Sequence, residues 1–378
     1  MKNILFFFGA FGGEFGGIEG KILLIAKNLA EKQIFFPILA TSDRNSIFSR
    51  YFREMGFLVY EVPMRGKGGI KKGINAVDNL LKKHNVAVIQ SHMFRESIIS
   101  GKIRNKHNNL RHVFRVHTHI SGSNIPIWKR CAYHILEHQN AKNVDIYVPI
   151  GNIIKKELIK KSRISSKKIR IVYNGIAALG LPDPPNNGSS PLTPSVVMLG
   201  DLQERKQQCM AAKTIGILHS KKIDVNLHLI GGERDGYSAE VKQTAMKNNV
   251  SHLVHFYGYK NQKEIYEIIR DIPVVILPSL FEGIPTSILE GMSLRKLVIA
   301  TPVGGTTELV KDGINGIIQP AQSPETWANI LERVFTKPAY IWEPMRNAGY
   351  RIWKEKYSME QMMDGLINVY KKLNLLDK

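Results

Sequence analysis

The sequence predicts an α/β protein built from two doubly wound, Rossmann-like domains. Three observations carry that prediction. Strand and helix patterns alternate through both halves of the 378-residue chain, as parallel sheets with crossover helices require. A run of turn formers, Leu181-Pro-Asp-Pro-Pro-Asn-Asn-Gly-Ser-Ser-Pro-Leu-Thr-Pro194, separates the two alternating sets and reads as an exposed connector. The charge also changes across it. Residues 1–178 hold 30 Lys and Arg against 11 Asp and Glu, whereas residues 179–378 hold 23 against 21.

In the first half, strands are expected at 4–9, 34–41, 57–62, 86–91, 111–116 and 144–149. Helices are expected at about 18–29, 70–83, 94–105, 126–140 and 150–161. The second half begins with a strand at 195–200 and a helix at 204–219. It continues with strands at 225–230, 253–256 and 273–277 and helices at 237–248 and 261–270. Further helices are expected near 324–336, 339–353 and 358–373.

Composition narrows the class. No apolar run reaches the roughly 18 residues needed to span a bilayer. The apolar start, Met1-Lys-Asn-Ile-Leu-Phe-Phe-Phe, runs directly into a glycine-rich turn and an amphipathic helix, so it reads as a buried first strand and not as a signal peptide. Two cysteines, Cys131 and Cys209, fall in different domains, which argues against a disulfide framework and suits a reducing cytoplasm.

The net charge is +21, nearly all of it in the first half. It suggests a partner of opposite sign: nucleic acid, an anionic membrane face or an acidic substrate. Basic residues gather at Lys67, Lys71 and Lys72, at six positions between Arg95 and Arg115, and along residues 152–163. Aromatic residues are not interleaved with them as a single-strand groove would need, so nucleic acid is not expected.

The stretch Pro278-Ser-Leu-Phe-Glu282-Gly-Ile-Pro-Thr-Ser-Ile-Leu-Glu290-Gly carries the clearest chemistry. It places Glu282 in a loop after an apolar strand and Glu290 seven intervening residues later, inside a helix. Pro285 suits the first turn of that helix. The loop Gly283-Ile284-Pro285-Thr286 then offers backbone amides at a helix N-terminus, a site for phosphate or sugar oxygens. The two carboxylates can accept hydrogen bonds from hydroxyl groups. A plain strand–loop–helix crossover with two solvated acids explains the acid pair alone equally well. The first half has a related feature in Gly12-Gly13-Glu14-Phe15-Gly16-Gly17, between a strand and a helix, although it matches the dinucleotide fingerprint poorly. Two strands end in histidine, at His92 and His117. His117 and His119 share a strand face, but no acidic or cysteine partner is spaced to complete a metal site.

The run from Glu282 continues through Gly304-Gly305-Thr-Thr-Glu308 and Asp312-Gly-Ile-Asn-Gly316. In order and spacing it resembles the C-terminal signature of the retaining GT-B glycosyltransferases, the large bacterial group called glycosyl transferases group 1. The resemblance is strong over about 195–320. It implies two Rossmann-like domains facing a cleft: residues 1–178 with a returning helix at about 356–378 on the acceptor side, and residues 179–355 binding a nucleotide sugar. It further implies transfer of a hexose-type sugar from a nucleoside diphosphate, UDP more than GDP, with retention of configuration. No cofactor and no metal would be required.

By the same resemblance, Glu290 holds ribose hydroxyls, while Glu282 and the amides of Gly283–Thr286 hold the sugar. Gly16 and Gly17 sit under the donor phosphate. His117 lies at the sugar end of the donor, with His92 and His119 on the acceptor side. Leu199-Gly200-Asp201-Leu202…Arg205-Lys206 is similar to the motif whose Arg and Lys neutralise the departing diphosphate. Lys206 matches, Asp201 replaces the Arg, and Arg205 is the candidate second cation. Val172-Tyr-Asn174-Gly175-Ile176 resembles the end of the first domain, with Ala177 in place of an Asp. The expected acceptor is a saccharide or lipid-linked molecule in surface polysaccharide synthesis. The protein is expected to be cytoplasmic, or peripheral on an anionic inner membrane face through its basic first domain. The alternatives are a non-catalytic or an epimerase-type sugar-nucleotide-binding protein of the same fold.

Overall fold

A computed structural model of the chain describes every residue except 10–16, 65, 118–119, 121–124, 179–189, 234, 321–322 and 377–378. The chain divides into two compact units: residues 1–174 with 360–378, and residues 175–359. The sequence reading set the boundaries at 178/179 and about 355/356. Most of the turn-rich connector, 181–189, lies outside the described residues.

The first unit holds a six-stranded parallel sheet in the order β3-β2-β1-β4-β5-β6. Its strands are β1 (Lys2–Phe7), β2 (Phe35–Thr41), β3 (Leu58–Glu61), β4 (Val86–Ser91), β5 (Arg111–Val116) and β6 (Ile146–Pro149). Helices α1 (Gly17–Glu31), α2 (Ile47–Glu54), α3 (Gly69–Lys83), α4 (Phe94–Arg104) and α5 (Ile127–Asn140) connect them, and α6 (Asn152–Lys160) follows β6. Ile4 to Phe7 are wholly buried. A continuous apolar run is what a central parallel strand, covered on both faces, demands.

Helix α2 was not anticipated. Ser46 caps it by accepting the Ser49 N–H, and Phe48 and Phe52, four residues apart, pack edge-on against Phe8 and Phe6. The last helix, α14 (Met359–Lys372), contributes Tyr370 to this unit. The Tyr370 ring meets Phe35 edge-on at 5.2 Å.

The second unit repeats the plan, with sheet order β12-β11-β10-β7-β8-β9, all parallel. Its strands are β7 (Ser195–Leu199), β8 (Asn226–Ile230), β9 (Val254–Gly258), β10 (Val274–Leu277), β11 (Leu297–Ala300) and β12 (Ile317–Ile318). Its helices are α7 (Gln208–Ser220), α8 (Tyr237–Lys247), α9 (Gln262–Ile269), α10 (Thr286–Ser293), α11 (Thr306–Leu309), α12 (Pro324–Thr336) and α13 (Glu343–Ile352). The helix expected at 204–219 is two pieces. A 3₁₀ turn at Glu204–Lys206 is parted from α7 by Gln207, whose φ of 63° is left-handed. Arg205 and Lys206 thus lie on the turn before α7 and not on α7 itself.

Candidate functional site

Each sheet has one place where the strand order reverses, and ligands of open α/β sheets bind outside the carboxyl ends of the strands at that place. In the second unit it lies between β7 and β10. The segment after β7 carries Arg205 and Lys206, and the segment after β10 carries Glu282, so topology alone brings them together.

The two loops are laced. Leu280 N–H donates to the Arg205 carbonyl at 2.8 Å, and the Arg205 guanidinium donates to the Phe281 carbonyl at 3.2 Å. Lys206 Nζ donates to Glu282 Oε1 at 2.7 Å, and Ser279 Oγ donates to the same oxygen at 2.7 Å. Ser279 is itself held by Thr301 Oγ1, which donates to its carbonyl at 2.6 Å. The Arg205 guanidinium stands 3.6 Å from Glu282 Oε2. Glu282 and Lys206 are 5% and 7% exposed, so this is a buried pair with a fixed geometry. Two cations against one carboxylate leave a positive balance, the sign that a diphosphate requires.

Asp201 stands where the resembling motif has Arg, and its carbonyl accepts from the Gln208 side chain at 3.1 Å. It is the Arg205 guanidinium that stands beside Glu282. The direction of Arg205, which the sequence left open, is thereby fixed.

Glycines set the loop's shape. Gly304 has a left-handed φ of 55°, and a Cβ there would fall inside the Glu282 carbonyl oxygen. Gly305 N–H donates to the Gly283 carbonyl at 2.7 Å, and a Cβ on Gly305 would overlap the Ile284 side chain. The Gly-Gly step is thus the mould against which 282–284 is pressed. Pro285 is the residue before α10, with φ −72° and ψ 115°, so it stands one place earlier than the first-turn position expected. No side chain caps this end. The first-turn amides, beginning at Thr286, have no intrahelical acceptors, an arrangement that suits an oxygen-rich ligand.

Glu290 lies on α10, half-buried, with Ser293 Oγ donating to its carbonyl at 2.8 Å. Its carboxylate is near Tyr266 of α9, a neighbour that sequence reasoning missed. Burial first, and then the Glu290 charge, raise the Tyr266 hydroxyl pKa. At the ends of β7, β8 and β9 the backbone is knit through glycines. Gly200 N–H donates to Ile230 O at 2.8 Å and Gly231 N–H to Gly258 O at 3.0 Å. Gly231 approaches Gly200 so closely that a Cβ would overlap its carbonyl. In β9 the Tyr257 hydroxyl is bonded to His228 at 2.9 Å, whereas Tyr259, beyond the strand, is exposed.

In the first unit the order reverses between β1 and β4. Gly16 and His119 lie outside the described residues. Gly17 is the first residue of α1, and a Cβ there would meet nothing within 4 Å among the described residues. His92 and His117 follow β4 and β5. Their rings stack at 5.2 Å, with His92 Nδ1 2.9 Å from His117 Nε2.

A chain of bonds behind them sets the direction of the protons. Tyr370 O–H donates to Gln90 Oε1 at 2.6 Å, which turns the Gln90 NH₂ toward His92 Nε2 at 3.1 Å. An NH₂ group only donates, so His92 Nε2 accepts and His92 carries its proton on Nδ1. His92 then donates to His117 Nε2, which leaves the His117 ring proton on Nδ1. Burial, reinforced by the Arg115 charge, holds both imidazoles well below their ordinary pKa and therefore neutral. His92 is buried and both its ring nitrogens are engaged by protein, so from its place on the expected acceptor side it would bear on a ligand through His117. Arg115 is also fully buried, and donates to the Asn174 side chain at 3.0 Å.

Known proteins match this arrangement along the chain. The family described as "Glycosyltransferase Family 4" matches residues 15–178, and "Glycosyl transferases group 1" matches residues 193–337. An uncharacterized glycosyltransferase of Methanocaldococcus jannaschii is 27% identical over 365 residues, 94% of this chain and 95% of that protein. A glycosyltransferase of Rickettsia africae superposes with a TM-score of 0.83 at 19% identity, covering 98% of each chain. HepE of Anabaena, solved in complex with UDP, superposes at 0.81 and 16% identity, covering 98% of this chain and 100% of that one. Two sheets of this topology, matched in sequence by models of one enzyme class on either side of the connector, place the chain among the group 1 glycosyltransferases of the GT-B fold.

Proposed function

We propose that the chain transfers a hexose-type sugar from a nucleoside diphosphate, UDP in preference to GDP, to a saccharide or lipid-linked acceptor with retention of configuration. The buried Lys206–Glu282 pair, with Arg205 beside it, is the observation that carries this reading. Charge grows on the diphosphate as the glycosidic bond breaks, and fixed cations at that point stabilise the transition state more than the ground state. Lys206, Arg205 and the open α10 terminus supply the positive charge, so the reaction needs no metal ion. Glu282, with Oε1 already committed to Lys206 and Ser279, orients sugar hydroxyls through Oε2, and Glu290 holds the ribose. In the first unit His117 offers an N–H and acts as a donor to a hydroxyl, not as a base.

Three lines from similar proteins support the substrate class. HepE has been solved with UDP and glucose and with UDP-glucose. WaaB, a lipopolysaccharide outer core galactosyltransferase, superposes at a TM-score of 0.74. These proteins favour a UDP-hexose donor and a role in surface polysaccharide assembly. The acceptor is then an envelope glycolipid or its saccharide, met at the inner face of the membrane. No helix among the described residues is long and apolar enough to cross a membrane.

The test is UDP release from UDP-glucose or UDP-galactose in the presence of EDTA, on addition of envelope glycolipids, with the product anomer read by NMR. Release with the donor's configuration kept supports the reading. An inverted product contradicts retention, strict dependence on a divalent ion contradicts the cation assignment, and donor binding without release points to a non-catalytic protein.

A further inference from the structure

Helix α5 is built inside out. Its inward face is polar: His134, Glu137 and Asn140 are buried, and each is bonded. His134 Nδ1 is 2.9 Å from Ser162 Oγ, Tyr147 O–H donates to Glu137 at 2.6 Å, and Asn140 donates to Ser97 Oγ at 3.0 Å. The outward face is apolar over residues 127–136, Lys129 apart, with the exposed His138 and Gln139 following at its C-terminal end. Ile127, Trp128, Ile135 and Leu136 are 72%, 67%, 59% and 46% exposed, and Cys131 and Ala132 between them are exposed as well. At 100° per residue these six fill one half-turn of the helix in two adjacent i, i+4 rows. A surface helix of a water-soluble domain ordinarily shows the reverse pattern, and a contiguous exposed apolar stripe marks an interaction site.

The surroundings say what covers the stripe. Lys129 lies against the Trp128 ring at 5.2 Å, a contact that keeps its ammonium beside the apolar face. His134 and His138 bond Ser162 and thereby tie α5 to residues 160–167, where Lys160, Lys161, Arg163 and Lys167 are all exposed. An apolar stripe with an interfacial tryptophan and a basic border complements an anionic bilayer: headgroups meet the cations and the stripe enters the acyl boundary. The same charge disfavours a second copy of this chain, since residues 1–178 carry 30 basic against 11 acidic side chains and two such faces would repel. At 14 residues, roughly 21 Å long, the helix is too short to span a bilayer and would lie in its plane.

We infer that α5 is a membrane-docking helix that seats the first unit on anionic lipid through Ile127, Trp128, Cys131, Ala132, Ile135 and Leu136. This rests on the reading of a membrane-borne acceptor and names the element that meets the membrane.

The chain carries its own reporter. It has four tryptophans, of which Trp327, Trp342 and Trp353 are buried and Trp128 is exposed. Full-length protein is mixed with phosphatidylcholine vesicles with or without phosphatidylglycerol. Binding is followed by flotation and by tryptophan emission. The expected result is flotation with the anionic vesicles only, with emission shifted to the blue. W128E and I135E, both on the solvent face, should each weaken vesicle binding about tenfold, as loss of one inserted large apolar side chain implies. The melting-point rise produced by UDP-sugar should be unchanged in both. Replacing Lys160, Lys161 and Lys167 with Gln should weaken binding and flatten its salt dependence.

Three results overturn the inference: no flotation of wild type, W128E and I135E floating like wild type, or a wild-type dimer that these variants dissociate, which would assign the stripe to a second copy. Failure of sugar transfer with vesicle binding intact would sink the proposed reaction and leave the docking helix standing.

Discussion

Removing Lys206 tests the centre of the second unit. The pair separation of 2.7 Å gives a gross attraction of about 6 kcal/mol at an effective dielectric of about 20, much of it offset by desolvating two nearly buried ions. K206M strands the Glu282 carboxylate. Ser279 still donates to it and Arg205 remains 3.6 Å away, so the cost falls near the low end for a broken buried pair, about 3 kcal/mol. E282Q strands the ammonium but keeps an amide oxygen as acceptor, and should cost about 2–3 kcal/mol. The double variant removes both charges and should cost no more than the costlier single. The coupling is then about 2–3 kcal/mol. Unfolding in urea, followed by emission of the buried Trp327, Trp342 and Trp353, reports the second unit directly. Additivity of the single variants within about 0.5 kcal/mol would refute the interaction. K206M should also lower the transfer rate at least about a hundredfold if this ammonium faces the departing diphosphate.

Three further outcomes are expected. G304A must accept both a left-handed φ and a Cβ inside the Glu282 carbonyl, whereas G313A, at φ 71°, meets nothing within 4 Å. In the same unfolding assay G313A should cost about 1–2 kcal/mol and G304A at least about 2 kcal/mol more, and equal costs would show that the Gly304 contact is immaterial. Y370F removes the hydroxyl that orients Gln90. Nitrogen NMR should find the His117 proton on Nδ1 in wild type and shared between the two nitrogens in Y370F; an unchanged spectrum would break the relay.

The third outcome concerns pH. His92 and His117 titrate well below 6.5 when folded, and burial brings His112 down to about 4. At these rings the unfolded chain therefore binds protons first as pH falls. Burial works the other way on two first-unit carboxyls, pushing Glu137 up to about 7 and raising Glu96, so there the folded chain binds protons first. With three rings against two carboxyls, first-unit stability should fall below about pH 6.5, by about 1.4 kcal/mol per pH unit for the ring in excess. H112N should flatten that slope, and a pH-independent melting point between 7 and 5 would contradict it.

The parts legible in the sequence were those with local signatures. Apolar strand runs, the glycine and proline turns around Glu282 and the Lys206 position could each be read within a dozen residues. What escaped depends on contacts across the chain or on a single dihedral. Gln207 breaks the expected helix through one left-handed φ that no propensity announces. Helix α2 is short and takes its place from Phe48 and Phe52 meeting Phe8 and Phe6, some forty residues away. The bond from Tyr370 to Gln90 spans 280 residues and exists only because α14 returns to the first sheet. The periodicity of α5 was read correctly as a helix. Its inversion was invisible, because a hydrophobic pattern cannot say which face the sheet will cover.

In the proposed donor site, the segment after β7 and helix α10 bind a nucleotide sugar through Lys206 and Glu290. The most direct test is calorimetric titration of UDP-glucose and UDP-galactose, in EDTA, into wild type, K206M and E290A. Binding by wild type, weakened about tenfold to a hundredfold in each variant, is the expected result, because each loses a hydrogen bond to a charged group. Equal affinity in all three proteins would place the donor elsewhere and contradict the account.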